Sequence, residues 1–337
     1  MKADPGVRFK MILVTGGAGF IGSNLAAALA DRGVPVVICD RLRSGFKWRN
    51  ISKLDLRDLV VPEQLGGWLK EHGGAIDAIV HMGAISSTTE TDADLIVETN
   101  FRLSQMLWRW CAQHSKRFIY ASSAATYGGA EAGFEDDWTM EALARLRPLN
   151  AYGWSKLLFD RWAVREVALA NGQPSQWAGL KFFNVYGPNE YHKGSMQSVV
   201  AQKFSAAAAG EPITLFRSHR AGVSDGGQQR DFVYVGDCVE VMLWLLANPK
   251  VSGIFNLGTG KARSFAELAT ALFSAVGKPP RLTYIDMPSA IRPNYQYFTQ
   301  ASVDRLRAQG YTRPFMTLED GVRDYVQRFL SQPDPYR

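Results

Sequence analysis

The stretch MILVTGGAGFIG, residues 11–22, decides the fold. MILVT is short and apolar, as a buried strand is, and glycines follow at 16, 17, 19 and 22. SNLAAALADRG, residues 23–33, then reads as a helix closed by Gly33. The glycines satisfy GxxGxxG through Gly16, Gly19 and Gly22, and GxGxxG through Gly17, Gly19 and Gly22. Between a strand and a helix they let the backbone approach a pyrophosphate, and the helix start adds free N–H groups and a positive dipole end. The next apolar strand, VPVVICD at 34–40, ends in Asp40, 18 residues beyond Gly22. A ribose-binding acid belongs there in a dinucleotide site. An ordinary tight strand-to-helix turn is the alternative reading of the glycines alone.

The alternation continues outward. AIDAIVHMGA (75–84) contains a third strand, FRLSQMLWRWCAQH (101–114) a helix, and KRFIYASS (116–123) a fourth strand. YGWSKLLFDRWAVREVALANG (152–172) is a long helix ending at Gly172, and QWAGLKFFNVYG (176–187) is another strand with its exit loop. Near-continuous apolar strands alternating with helices predict an α/β fold, a Rossmann-type doubly wound parallel sheet covered on both faces. After residue 184 the loops lengthen and strict alternation is lost, although helices are expected at 197–209, 264–276 and 317–331. The expected organisation is a cofactor-binding domain over 1–183 and a smaller C-terminal α/β substrate-binding domain over 184–337. A segment of the latter, about 231–258, is expected to return to the first domain.

With 337 residues and 46% apolar content, the chain can build a sizeable core and about two domains. No run of 18 apolar residues exists to span a membrane. MKADPGVRFK lacks the apolar centre of a secretory signal and reads as a short tail before the first strand. The formal charge of +6 is scattered, without a basic run or an aromatic-interleaved stripe. That pattern argues against nucleic acid and for an enzyme handling phosphate-bearing small molecules. Cys39, Cys111 and Cys238 lie far apart in apolar runs, with no zinc-ligand spacing, and read as reduced, buried thiols of a cytoplasmic protein. The histidines show no metal spacing; His81 is expected in the core and His192 beside the site. Trp108 and Trp110 sit on a helix expected to pack on the sheet or on a neighbouring subunit.

Chemistry enters with YGWSK, residues 152–156. In a helix its tyrosine and lysine share one face. Upstream, YASSAATYG (120–128) ends a strand and offers Ser122 and Ser123 to the same crevice. A free tyrosine titrates near pH ~10. A nearby ammonium and the positive charge of an oxidised nicotinamide would both stabilise its phenolate for work as a base. Ser123 could hydrogen-bond a substrate oxygen. A surface Tyr/Lys pair is the commoner meaning of the pattern alone; after a dinucleotide fingerprint and a serine-bearing strand end, catalysis is the expected one. For the cofactor, Asp40 favours NAD through ribose hydroxyls, whereas Arg41, with Arg43 and Lys47 nearby, can accommodate a 2′-phosphate. Cation density favours NADP, with NAD as the alternative; Arg43 and Lys47 read equally as a solvated loop.

These residues resemble the short-chain dehydrogenase/reductase superfamily in its extended, nucleotide-sugar-modifying branch. Within that branch SSTTE (86–90), ASSAATYGG (121–129), FNVYGPNEYHKGSM (183–196), RDFVYVGD (230–237), FNLGTG (255–260) and YQYFTQ (295–300) are similar to the ADP-L-glycero-D-manno-heptose 6-epimerase family. The resemblance runs from about Met11 to Leu330. It implies inversion at C6 of ADP-D-glycero-β-D-manno-heptose by transient oxidation. Hydride leaves C6 for the nicotinamide, the 6-keto sugar presents its other face, and hydride returns with no net redox change. It further implies Tyr152 and Lys193 as the two acid/base groups, Lys156 as the residue that holds the nicotinamide ribose and lowers the tyrosine's pKa, and Ser123 at the carbonyl oxygen. From spacing alone, Lys193 reads as a solvated loop lysine.

By the same resemblance the cofactor would meet Gly16, Gly19, Phe20, Ile21, Gly22, Asp40, Arg41, Lys47, the segment Met82, Gly83, Ala84, Ile85 and Ser86, then Asn100, Lys156, Val185 and Lys193. Substrate positions carry over as Asn184, Ser195, Gln202, Phe216, Arg217, Ser218, His219, Arg230 and Tyr295, with guanidinium groups pairing the pyrophosphate. The sequence departs from relatives at Val60-Val61-Pro62, where some place a lysine, at Thr99, where a second asparagine is usual, and at Gln202, where some carry histidine. AGVSDGGQQ (221–229) reads equally as a lid and as a solvated loop. A homo-oligomer, with a ring of five as one form, a role in lipopolysaccharide core synthesis and a Gram-negative cytoplasm are also implied. The competing readings are a nucleotide-sugar epimerase or dehydratase acting at C4, and a catalytically silent NADP-sensing binding protein.

Overall fold

The computed structural model describes residues 9–129, 133–289, 292 and 295–337. Most of the stretch read as an N-terminal tail, residues 1–8, lies outside them. Seven strands form one parallel sheet: β1 (Ile12–Thr15), β2 (Val36–Cys39), β3 (Asp58–Val60), β4 (Ala78–His81), β5 (Arg117–Ser123), β6 (Gln176–Phe182) and, after three strands that lie elsewhere, β10 (Gly253–Leu257). Their order across the sheet is β3-β2-β1-β4-β5-β6-β10, every pair parallel. β1, β2, β4, β6 and β10 are buried at every residue, as strands covered on both faces must be. The chain reverses direction of travel across the sheet at β1, between β2 and β4. Ligands of open α/β sheets bind in the crevice beyond the strand ends at such a point.

Smaller sheets complete the molecule. β7 (Asn184–Tyr186) pairs parallel with β9 (Gln229–Tyr234), which pairs antiparallel with β11 (Ala262–Ser264). β8 (Ile213–Phe216) pairs parallel with β12 (Leu282–Ile285). The stretch 176–187, expected as one strand with its exit loop, therefore holds two strands, β6 and β7. Of the stretch 231–258, Gly253–Leu257 lies in the seven-stranded sheet, whereas residues 229–234 belong to the three-stranded one. The edge strand Asp58–Val60 was not expected from sequence; only Val60 of its three residues is buried.

Helix ends follow local chemistry. The Ala151–Ala168 helix starts where the Asn150 side chain accepts from Gly153 N, and Ser198 caps Val199–Ala209 in the same way. Ser264 and Glu267 form a reciprocal capping box at the start of Phe265–Ala275. The helix expected at 101–114 spans Leu103–Gln113 and is preceded by a π-helical segment, Val97–Arg102. Trp108 is buried against Phe118, Phe159, Trp162 and Trp177, whereas Trp110 stacks on His114. All three cysteines are free and buried. Among the described residues no helix is long and apolar enough to cross a membrane.

Candidate active site

A cavity of about 560 Å³ opens beyond the ends of β1, β4 and β5, floored by the glycine loop. Gly16 turns the chain at φ +63°, and a Cβ there would stand 2.6 Å from the Gly83 nitrogen. A Cβ on Gly22 would meet the Gly16 carbonyl oxygen at 2.2 Å, so helix and loop close tightly only without side chains. The Phe20–Ala30 helix begins with no side-chain cap and no acid in its first turn. Its first N–H groups are thus free for an external anion. Asp40 stands at the end of β2, where Oδ2 accepts from Ala18 N at 3.0 Å and Oδ1 pairs with Lys47 Nζ at 2.6 Å. This cradle fits a dinucleotide: it gives room for close backbone approach, unpaired donors and an acid–lysine pair beside the ribose position.

The part of the cavity that holds Ser123, Tyr152 and Lys156 is built by β5 and the Ala151–Ala168 helix. Gly153 brings them together, since a Cβ there would stand 2.6 Å from the Ala125 carbonyl oxygen. Tyr152 thereby reaches Ser123 and accepts a hydrogen bond that favours its phenolate. Ser123 Oγ accepts in turn from Ala125 N at 3.1 Å, which fixes the rotamer and leaves its hydrogen for the phenol or a substrate oxygen. Burial nevertheless pushes the phenol above its ordinary value, with Ser123 opposing. The lowering expected from Lys156 is not found in the chain alone. The charge that acts on Lys156 is that of Asp160, one turn further on, and burial takes the Lys156 ammonium down to about 8 against it. Gly153→Ala should force helix and strand end apart and reduce kcat by about 10- to 100-fold. Cofactor affinity, measured by titration, should be unchanged.

Lys193 arrives from the turn after β7. Its ammonium lies 5.1 Å from the centre of the Phe20 ring, above the first residue of the glycine-loop helix. Burial lowers its pKa and the Glu190 carboxylate opposes this. Glu190 is fully buried and closes the turn, accepting from Ser198 N at 2.6 Å, Ser198 Oγ at 2.7 Å and Gly187 N at 3.3 Å.

Of the residues expected for cofactor and chemistry, Gly16, Gly19, Phe20, Ile21, Gly22, Asp40, Lys47, Met82, Gly83, Ala84, Ser86, Ser123, Tyr152, Lys156, Val185 and Lys193 line this cavity, with Asn184 from the substrate set. Arg41 does not; its guanidinium turns to Glu63. Asn100 is spent on structure, clasping the Ile85 backbone at 2.8 and 3.0 Å and donating to Ser155 Oγ at 3.0 Å. His81 is a core residue bonded to Thr15 and Ser104, pushed down to about 3 by burial. The other substrate positions form a second group outside the cavity lining. Arg230 is buried, its guanidinium 5.2 Å from the Tyr295 ring centre and 5.7 Å from that of Phe265. Phe216 lies edge-on to Tyr295, His219 N donates to Tyr297 Oη, Ser218 N donates to Asp225, and Arg217 faces Asp225 at 4.0 Å. Gln202 donates to the Ser195 and Gln197 carbonyls. Sequence reading missed Phe265, Leu268, Gln296 and Thr299, which also line the cavity. Only the last two had a signal, as members of YQYFTQ.

Residues 12–258 match the model of the NAD dependent epimerase/dehydratase family. The chain belongs to this family. It is 47% identical over 335 residues to an ADP-L-glycero-D-manno-heptose-6-epimerase of Fusobacterium nucleatum, covering 97% of this chain and 100% of that one. Among solved structures, the Helicobacter pylori ADP-L-glycero-D-manno-heptose-6-epimerase is similar at TM-score 0.80 and 30% identity, covering 97% of this chain and 98% of that one. A Thermus thermophilus UDP-glucose 4-epimerase in complex with NAD is similar at TM-score 0.72 and 28% identity, covering 94% and 97%.

The family's nicotinamide cofactor supplies, when bound, a reversible hydride acceptor and a positive charge. The epimerase chain supplies the rest. The glycine loop is placed to orient a pyrophosphate, and Ser123, Tyr152 and Lys156 line one cavity, where they would hold a substrate oxygen, exchange a hydroxyl proton and supply a cation. The apolar Phe182, Phe183, Val199 and Leu268 also line the cavity and would limit the water beside a bound substrate.

Proposed function

We propose that this epimerase inverts C6 of ADP-D-glycero-β-D-manno-heptose to give the L-glycero epimer, supplying heptose for the inner core of lipopolysaccharide. The observation that carries the reading is that Tyr152 and Lys193, from separate parts of the fold, line one cavity with the cofactor cradle. Inverting a carbinol needs a proton acceptor for each orientation of the hydroxyl, and two such groups in one cavity serve that need. One group would take the hydroxyl proton as C6 gives its hydride to the nicotinamide, and the other would return a proton as the hydride comes back, leaving no net redox change. Asn184, Ser195, Gln202, Phe216, Arg217, Ser218, His219, Arg230 and Tyr295 would take the ADP-sugar, with Arg230 aimed at the pyrophosphate. Residues 1–183 with the returning strand would form the cofactor domain and most of 184–337 the substrate domain. A cytoplasmic homo-oligomer is the form we expect.

Incubation of the purified chain with ADP-D-glycero-β-D-manno-heptose, followed by chromatographic resolution of the C6 epimers, tests the proposal. Conversion to an epimer mixture without added reduced cofactor is expected. No conversion by protein that retains cofactor would overturn it, and turnover of a UDP-hexose instead would favour action at C4.

NADP is the proposed cofactor. Lys47 lines the cavity beside Asp40 and would meet a 2′-phosphate, relieving the acid's repulsion. Charge-assisted hydrogen bonds contribute about 1.5–3 kcal/mol, so Lys47→Ala should weaken NADP by about tenfold or more. NAD should be affected little. Equal loss for both cofactors in direct titrations would sink the assignment.

A further inference from the structure

Lys193 sits on a turn whose position is set from the other side of the cofactor cradle. The Lys47–Asn50 turn follows β2 and carries, at its start, the lysine paired with Asp40. At its end Asn50 is buried, 1% exposed. Its Nδ2 faces three acceptors: Ala18 O of the glycine loop at 2.9 Å, Asn189 O at 3.0 Å and His192 Nδ1 at 3.2 Å. Asn189 answers by donating Nδ2 to Ser23 Oγ at 3.0 Å and to Asn50 O at 3.4 Å. Asn189 holds φ +71°, a left-handed conformation that asparagine tolerates better than most residues. Asn50 Oδ1 is left buried without a hydrogen-bond partner. A buried orphan oxygen is costly, so three acceptors, not the oxygen, dictate which way this amide points.

The lock is braced from outside. The Tyr336 ring lies 5.1 Å edge-on from Tyr191 and 4.7 Å beneath the Arg49 guanidinium. Lys53 Nζ donates to Tyr336 O at 2.6 Å, Tyr191 Oη to Pro335 O at 2.9 Å, and Arg337 N to Asn189 Oδ1 at 3.0 Å. Residues 334–337 thus touch both turns.

We infer that Asn50 is a positioning residue for Lys193: by joining the Lys47–Asn50 turn to the 188–193 turn, it holds the second acid/base group in place and ties that placement to the cofactor's ribose side. The inference rests on the proposed role of Lys193. A neutral His192 suits the lock, because only an unprotonated Nδ1 can accept from Asn50; burial and the neighbouring Lys47 and Lys193 hold that ring at about 4, with Asp40 opposing. Asn50→Asp is nearly isosteric but turns the donor into an acceptor facing acceptors.

Two readouts test the lock. The first is acetylation of Lys193 in the cofactor-loaded chain, read by mass spectrometry against the exposed Lys278 and needing no turnover. Asn50→Asp should raise relative labelling of Lys193 by about threefold or more, as expected when a closed turn opens locally. The second is reduction of bound cofactor by each C6 epimer separately. Asn50→Asp should slow by about tenfold the epimer whose oxidation Lys193→Met also slows, and spare the other. Tyr336→Ala should give the same signature more weakly, with Tyr336→Phe near wild type, so the test survives if Asn50→Asp fails to fold. Unchanged labelling, or equal slowing of both epimers, would overturn the inference. Cofactor reduction by neither epimer in the wild type would count against the proposed activity, while labelling still decides the lock.

Discussion

Tyr152→Phe is expected to slow epimerisation by about 10²- to 10⁴-fold, the usual contribution of one positioned proton-transfer group. The variant removes one oxygen and leaves the helix, the glycine loop and the Asp40–Lys47 pair in place. Its loss should therefore appear in kcat, with cofactor affinity retained. Because the chemistry runs in two directions, the variant offers a sharper signature. Oxidation of one C6 epimer should collapse, while oxidation of the other, served by Lys193, falls less. Lys193→Met should give the opposite asymmetry. Burial holds the Tyr152 phenol above its ordinary value in the chain alone, so the phenolate is scarce at neutrality until a cation joins it. Wild-type turnover should accordingly rise with pH on the acid side, and Tyr152→Phe should flatten that limb. Equal loss for both epimers, with the limb intact, would mean that the tyrosine positions substrate and moves no proton.

The parts of this site that were readable share one property: a local pattern is tied to one backbone need. Gly16 and Gly22 are glycine because a Cβ would strike the backbone opposite, and that need shows in sequence as spacing. YGWSK was readable for the same reason; even its glycine has a purpose, the approach to Ala125. What failed to show depends on distant chain. The edge strand Asp58–Val60 buries one residue of three and so lacks a hydrophobic period. The π-helical segment Val97–Arg102 looks like ordinary helix in sequence, yet it brings Asn100 to the Ile85 backbone. Phe265 and Leu268 reach the cavity because the Phe265–Ala275 helix packs on the smaller sheets. Arg41 has the right charge beside the right acid, but Glu63, 22 residues on, claims it. Charge density along a sequence says which groups are near, not which partner each one takes.

Asp160 carries the largest stability prediction. It is completely buried, accepting from Tyr120 Oη at 3.0 Å and Ser122 Oγ at 2.7 Å, with Lys181 Nζ at 3.4 Å. Two buried ammonium groups depend on it, Lys181 at 1% exposure and Lys156 at 4%. Burial depresses both, and Asp160 opposes that in each case. Asp160→Asn keeps the shape and removes the anion that opposes burial at both ammonium groups, so it should cost about 3–5 kcal/mol at pH 7, as removing one partner of a buried pair does. The pH dependence follows from Lys156. Its folded value, about 8, lies below its unfolded one, so the cost of burying its charge is complete below pH 8 and is relieved as pH rises towards the unfolded value. Without Asp160 the folded value falls further and relief begins at lower pH. The Lys156 part of the stability gap should therefore close above about pH 8, as thermal unfolding across pH 6.5–9 would reveal. The same shift should appear in catalysis. If a charged Lys156 is needed beneath Tyr152, the alkaline limb of kcat/KM should move to lower pH in Asp160→Asn. An alkaline limb that stays put, in a variant whose stability gap closes as described, would mean that Lys156 works by its hydrogen bonds and not by its charge.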